Sequence, residues 1–301
     1  MKTAHQNLVL LAVAAGLFTL LLVDERRQQA VLAKAIERQP PLTTLDANAV
    51  RHIRLGNPGS PDIVLEKTGS GWQLREPVAM PADLVQVGSL TALLAMETRG
   101  SLAEDQARRA DLGLDPPRGT VRYDDLTLAH GEIEPLKQAR YVELEPGSER
   151  RRIRLVDAFP PEPFDGEYTD LINKALLPFD AEPLAIEVPG LRLARDHIGA
   201  PWQAAPASAQ ATPAAIAALV EAWRTLRAQA TLPPLADTDP KARADVRVQL
   251  ADGSAIGYRL LDRGEARYLQ RLDVPVSYQF LPADAGRLLQ LQPAPASPAA
   301  P

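Results

Sequence analysis

The sequence predicts an α+β protein: an N-terminal transmembrane helix followed by two tandem repeats, each a mostly antiparallel sheet packed with one helix. Three observations predict it. An uncharged apolar run opens the chain at Leu8 to Val23. Strand-like runs of alternating polarity recur in the same order in both halves. Each half also carries one stretch with apolar residues three and four positions apart, the mark of an amphipathic helix.

The apolar run follows Lys2 and ends at Asp24-Glu25-Arg26-Arg27. As a helix it would span roughly 24 Å, a little short of the roughly 30 Å hydrocarbon core unless its flanks contribute. A cleaved signal peptide is the alternative. The charges occupy the place of its cleavage site, and the first small pair, Ala33 and Ala35, lies beyond them, so an uncleaved anchor is expected. Asp24 to Arg38 contains no glycine or proline and reads as a helical stalk, stopped by Gln39-Pro40-Pro41. Arg26, Arg27, Lys34 and Arg38 on the C-terminal side lean toward a cytoplasmic body, but long domains translocate largely regardless of that bias. Both topologies stay open, with a periplasmic body the expectation in a bacterial inner membrane.

The repeat is read from element order. Ile53 to Leu55, Asp62 to Lys67 and Gly71 to Leu74 are strands, followed by a helix from Pro81. Ile186 to Val188, Leu191 to Arg195 and Pro201 to Ala204 match them, followed by a helix from Pro213. Leu84, Val87, Thr91 and Leu94 form the apolar face of the first helix; Ile216, Leu219, Trp223 and Leu226 form that of the second. Thr212 is a ready N-cap, and Asp83 suits the first helical turn. Strands then return: Gly119 to Gly131 against Ala244 to Leu261, Ala139 to Leu144 against Ala266 to Arg271, and Arg152 to Phe159 against Val276 to Gly286. The organisation expected is therefore an anchor and stalk over 1–39, a first repeat over 45–160, a connector over 161–183 with a helical core near Leu171 to Leu177, a second repeat over 184–290, and a disordered Ala/Pro tail over 291–301.

Composition bounds the function. The 301 residues, 46% hydrophobic, suffice for a sizeable core, and 28 prolines against 18 glycines predict stiff connections. A formal charge of −5 gives no general attraction for nucleic acid. The absence of cysteine removes disulfides, thiolate nucleophiles and Cys-rich zinc sites.

No catalytic motif stands out. His5, His52, His130 and His197 are scattered without metal-ligand spacing, and His130 with Glu132 and Glu134 reads as a solvated strand end rather than a metal site. No GxSxG elbow, P-loop or GxGxxG stretch occurs. No catalytic residue, metal or cofactor is predicted. Asp111 to Gly119 reads as a helix stop, with Gly113 a left-handed cap and Pro116-Pro117 blocking continuation. Arg150, Arg151, Arg152 and Arg154 suit a solvated turn offset by Glu143, Glu145 and Glu149 better than a lipid contact. Trp72 and Trp202, placed alike in the two repeats, read as anchors of helix against sheet rather than as the lining of a ligand groove. The residues singled out are thus structural: Trp72, Pro77, Pro81, Asp83, Gly113, Pro116, Trp202 and Pro213.

Trp72, Leu74, Pro77, the Pro81-Ala82-Asp83 helix start, Val87, Gly113 to Pro117 and Gly131 together resemble an uncharacterised bacterial membrane-anchored family, the domain of unknown function numbered 4340. The resemblance extends over Ile53 to about Phe159, with the second half a faded copy. It implies a single anchor, an α/β-repeat body and a gene neighbourhood with ABC-type transport subunits, and it carries no catalytic residues. The function expected is a non-enzymatic envelope protein that contacts lipid through Leu8 to Val23 and binds envelope or ABC-transporter proteins. The alternative is a carrier or sensor that clamps a small molecule or glycan between the repeats.

Overall fold

The computed structural model describes residues 41–102, 108–136, 138–147, 151–159, 164–208, 210–236 and 244–292. The expected anchor, stalk and most of the Ala/Pro tail lie outside them. Among the described residues, no helix is long and apolar enough to cross a membrane.

The body is α+β, with two antiparallel sheets and few helices. The first sheet contains β1 (His52–Gly56), β2 (Ile63–Thr68), β3 (Gly71–Glu76), β4 (Met80–Pro81), β5 (Thr98–Leu102), β6 (Gly119–Tyr123), β7 (Leu126–Glu134), β8 (Ala139–Leu144) and β9 (Arg152–Asp157). Helix α1 (Leu84–Ala92) joins β4 to β5. The second sheet contains β10 (Pro183–Val188), β11 (Leu191–Ala194), β12 (Gln203–Ala205), β13 (Ala230–Leu232), β14 (Val246–Leu250), β15 (Ala255–Arg263), β16 (Ala266–Arg271) and β17 (Ser277–Phe280). Helix α2 (Pro213–Thr225) joins β12 to β13, and α3 (Pro282–Leu289) follows β17.

The spatial order is β4, β3, β2, β1, β6, β7, β8, β9, β5 in one sheet and β12, β11, β10, β14, β15, β16, β17, β13 in the other. Without β4, the two orders are identical. The registers agree as well: Ile53 faces Leu65 and Tyr123, while Ile186 faces Leu193 and Val248. Lys67 faces Trp72 in the first repeat. In the second, Ala194 faces Gln203, so one further step places Arg195 opposite Trp202. The strand periodicity thus reports a repeat carried down to individual pairs.

The helices correct the sequence reading in one respect. α1 starts at Leu84, and Pro81 lies in β4 rather than in the first turn. The cap is Asp83, whose carboxylate accepts from the Val85 and Gln86 N–H groups. Counting from it, the buried face is Val87, Leu90 and Leu94, while Leu84 is 63% exposed. Counting from Thr212, the same positions in the second repeat are Ile216, Leu219 and Trp223, all buried. The run Val276 to Gly286, expected as strand, is strand only to Phe280; after Leu281 its proline opens α3 at the first helical position.

The connector also differs. Its helical turn is Tyr168–Leu171, and Ile172 to Leu177 is not helical. The reason is backbone pairing with both repeats: Ile172 bridges to Ala82, Ala175 bridges to Arg227, and the Lys174 carbonyl accepts from Ala228 N–H at 2.9 Å. Ile172, Leu176 and Leu177 are buried, each worth about 1.5–3 kcal/mol of apolar transfer. One apolar core runs without interruption from Ile53 and Leu90 through Leu176 to Tyr258 and Trp223. A smaller cluster, Leu112, Leu114, Ala129 and Ile153, packs the segment after β5 against the first sheet.

Candidate functional site

Three local structures stand out: the junction between the third strand and the helix and a buried polar cluster around His130, which differ between the repeats, and a pair of buried polar pins, which both repeats carry.

At the first junction, Trp72 is buried on β3 and the chain leaves through a cis Glu76–Pro77 bond. Val78 and Met80 then turn into the core, and β4 pairs with β3 through Gln73 opposite Pro81 and Leu74 opposite Met80. At the second junction the Ala205–Pro206 bond is also cis, and Thr212 caps α2 by accepting from Ala215 N–H at 3.2 Å, with Pro213 at the first helical position. Glu76 faces Val64 and Ala205 faces Arg192, at matching ladder positions. Arg75 is the extra residue at a bulge, which explains why Trp72 stands one residue farther from its proline than Trp202. The spacing from proline to cap is the same, Pro77 to Asp83 and Pro206 to Thr212.

Between those landmarks the side chains differ. Ala207 and Ala209 stand in the sequence where the first repeat has Val78 and Met80. Between the turn joining β10 to β11, the segment after β12 and the segment after α3 lies a groove of about 740 Å³, lined by Leu191, Pro206, Ser208, Gln210, Thr212 and Leu291 among others, none of them charged. Trp202 is only half-buried, and the Arg195 guanidinium stacks 4.9 Å from its ring centre. Arg195 is in turn held by Glu182 at 3.0 Å and by the Pro183 carbonyl. Packing accounts for Trp72, but Trp202 packs at the edge of the core, and the fully buried tryptophan of the second repeat is Trp223.

The polar cluster overturns the reading of His130 as a solvated strand end. Gly131 lies at a bulge inside β7, where the register shifts between His130 and Ile133, so the strand continues. His130 is 1% exposed, enclosed by Phe159, Phe164 and Arg140. Arg140, itself buried, donates from Nη1 to His130 Nδ1 at 3.1 Å. Since arginine has no acceptor, the imidazole proton must sit on Nε2. Nε2 lies 3.4 Å from Asp165 Oδ1 but is not aligned for a hydrogen bond. Burial pushes the His130 pKa down to about 4; Asp165 opposes that shift and Arg140 adds to it. His130 Nε2, Arg140 Nε and Asn57 Oδ1 are buried without a hydrogen-bond partner. Nε2 and Asn57 Oδ1 both crowd the open side of Gly119, where a Cβ would meet them at 2.6 and 2.8 Å. In the second repeat the register places Leu260, opposite Leu269, where the first has His130 opposite Val142. The cluster is therefore not required by the repeat architecture. It ties β7 and β8 to the connector through Asp165.

The pins occupy one position in both repeats. Glu143 on β8 and Gln270 on β16 are both fully buried. Glu143 accepts a forked pair from Arg109, at 3.1 and 2.7 Å, and those hydrogen bonds push the guanidinium pKa up. Gln270 accepts from Leu235 and Ala236 N–H and donates to the Ala236 carbonyl. Each fastens the segment that leaves the outer strand, β5 or β13. Gly113 is the left-handed cap of the turn Arg109–Leu112, as read, and Pro116 follows it in a cis bond. Among the described residues no group of three or more His, Asp or Glu side chains could hold a metal ion. The sequence signal for the pins was present in Ala-Arg-Tyr at 139 and 266, but their burial was not.

A model of the family described as Domain of unknown function (DUF4340) matches residues 72–246, more than half of the chain. The match runs from β3 through the connector into β14. It therefore covers parts of both repeats, rather than ending near Phe159. No curated protein and no solved structure matches the chain.

Proposed function

We propose that this chain, which belongs to the DUF4340 family, is a non-enzymatic, single-pass envelope protein whose two-repeat body binds other proteins as an accessory subunit of an ABC-type transport system. The anchor in this reading is Leu8 to Val23, in a bacterial inner membrane, with the body on the periplasmic side. The observation that carries the binding role is the contrast between the two junctions. The body is one continuous core, so it presents fixed surfaces; its second repeat leaves β12 as an edge strand, and it carries an uncharged groove between the turn before β11, the segment after β12 and the segment after α3. A clamp between the repeats has less support. Their junction is filled by Thr231 donating to the Thr169 carbonyl, Tyr168 donating to the Pro275 carbonyl, and Arg271 against the Met80 sulfur.

The test is crosslinking in native membranes and purification through a C-terminal tag, with a version lacking residues 1–39 as control. Recovery of transporter or other envelope subunits, lost in the control, is the expected result. Recovery of nothing specific overturns the reading.

A further inference from the structure

The outer face of α1 is apolar and open. Leu84, Val85, Gly88, Ser89 and Ala92 recur along it three and four positions apart and are all exposed, Val85 to 75%. Between 84 and 96 the sequence has no charged residue. Counting from the two caps, the same face of α2 is Pro213, Ala214, Ala217, Ala218 and Glu221, with Arg224 beyond them. The repeat architecture therefore does not call for large apolar side chains there. The described residues begin at the far end of the α1 face: Pro41 bridges to Glu97, and Leu42 N–H donates to the Met96 carbonyl at 2.7 Å, just after the short turn Leu93–Ala95 that follows α1. Residues 41–43 run antiparallel to 94–97. The segment before them can turn back over α1 at Gln39-Pro40-Pro41, or run on past β5, where the exposed Arg99 is paired with Asp157 and offers no apolar face.

We propose that the outer face of α1 is the docking surface for this chain's own residues 24–38, which pack on it as a helix running parallel to α1. This contact goes beyond the transport reading and does not depend on it. Reach permits it: as a helix, residues 24–38 would extend about 22 Å, enough to cover the roughly 14 Å of α1. The pattern matches as well. Val31, Leu32, Ala35 and Ile36 fall on one side of such a helix, and Asp24, Glu25 and Gln28 continue that side toward its start, while Arg26, Ala30, Ala33 and Glu37 fall on the other. Gly88, Ser89 and Ala92 are small enough to admit a close helix approach, with Val31, Leu32 and Ile36 seated among them. The direction follows from the entry point, because the segment ends where α1 ends. Asp24 and Glu25 then reach the start of α1, where its positive end favours carboxylates. Two cations stand beside that end: Asp83 N–H donates to the Leu171 carbonyl, and the same segment carries Lys174 and bridges through Ala175 to Arg227. Tethering also gives residues 24–38 an effective concentration that a separate partner of equal affinity lacks.

The chain has no cysteine, so a disulfide in a double variant can join only the introduced pair. In the full chain, Ala92→Cys is combined with Leu32→Cys or Ala35→Cys, and for comparison with Ala30→Cys or Ala33→Cys on the other side of the helix. Mild oxidation in membranes followed by peptide mapping reads the linked fraction. The expected result is linkage within one chain to position 32 or 35 and little to 30 or 33. Linkage to none of them, or equal linkage to all four, overturns the proposal. Linkage between two chains assigns the face to a second copy and also overturns it. A second measurement needs no disulfide. Maleimide labelling of Ala92→Cys alone is expected to speed up about tenfold or more when Val31→Glu and Leu32→Glu are added, since two buried aliphatic side chains hold at least that factor. Glu221→Cys, at the matching place on α2, should keep its rate. An unchanged rate at 92, or equal acceleration at both places, overturns the docking. Failure of these tests leaves the recovery of envelope subunits by the tagged chain untouched, and success does not require it.

Discussion

Asp83 Oδ2 lies 3.4 Å from Arg227 Nη2, so the residue that caps the first helix also touches the second repeat. Its two oxygens do separate work. Oδ1 satisfies the Val85 N–H at 2.9 Å, and Oδ2 takes the cation. Asp83→Ala is expected to cost about 1–2 kcal/mol in chemical denaturation, most of it from the lost cap. Asp83→Ser keeps a capping oxygen and should cost clearly less. Arg227→Ala should cost under about 1 kcal/mol, because the Arg227 side chain is half exposed and solvent screens the pair. If Arg227→Ala cost as much as Asp83→Ala, the ion pair rather than the cap would be the main contribution.

His130 makes stability depend on acid. Its folded pKa, about 4, lies below the ordinary 6.5 of a histidine, so the folded state favours the neutral ring. The stabilisation is present above about pH 6.5 and is lost as pH falls toward 4, where protonation would end Nδ1's role as acceptor for Arg140 and set two cations together. The shift corresponds to an effect on the order of 3 kcal/mol. His130→Leu, the residue found at the matching position of the second repeat, should flatten that part of the pH–stability curve measured by urea unfolding. An unchanged slope in the variant would show that other groups produce it.

The buried pins predict unequal responses. Glu143→Ala removes the partner of a forked Arg109 and leaves that cation partly enclosed, with an expected loss of about 3 kcal/mol or more. Gln270→Leu strands two N–H groups and one carbonyl on 235–236, with an expected loss of about 2–3 kcal/mol. Limited proteolysis should find the Glu143 variant cut first between β5 and β6, and the Gln270 variant between β13 and β14. Cutting at the same place in both would contradict the one-pin, one-segment relation.

The repeat was legible because element order, strand alternation and turn chemistry are local properties. Ile53 and Ile186, or Trp72 and Trp202, could be paired by reading alone, and the ladders agree. The phase of the first helix is hidden because Pro81 resembles a helix opening while the cap is Asp83, which shifts the apolar face from Leu84 to Leu90. His130 was misplaced because what buries it, Phe159 and Phe164, arrives far along the chain, while its neighbour Gly131 looks like a turn.

Gly131 tests how closely the segment after β5 is seated on the first sheet. A Cβ at that position would collide with the Leu112 carbonyl, a backbone atom that cannot rotate away, and would also press on Gly113 at 3.2 Å. Leu112 is fixed in turn, because its turn ends in the left-handed Gly113 and Arg109 within it is held by Glu143. Relief must therefore come from lifting the whole turn, which exposes Leu112 and Leu114 and weakens the Arg109 fork. Gly131→Ala is expected to cost about 3 kcal/mol or more, and Gly253→Ala, in an open turn with nothing within 4 Å, only the smaller cost of its positive φ. Comparable losses for the two variants would mean that the turn over β7 gives way more easily than Gly113 and the Arg109–Glu143 fork imply.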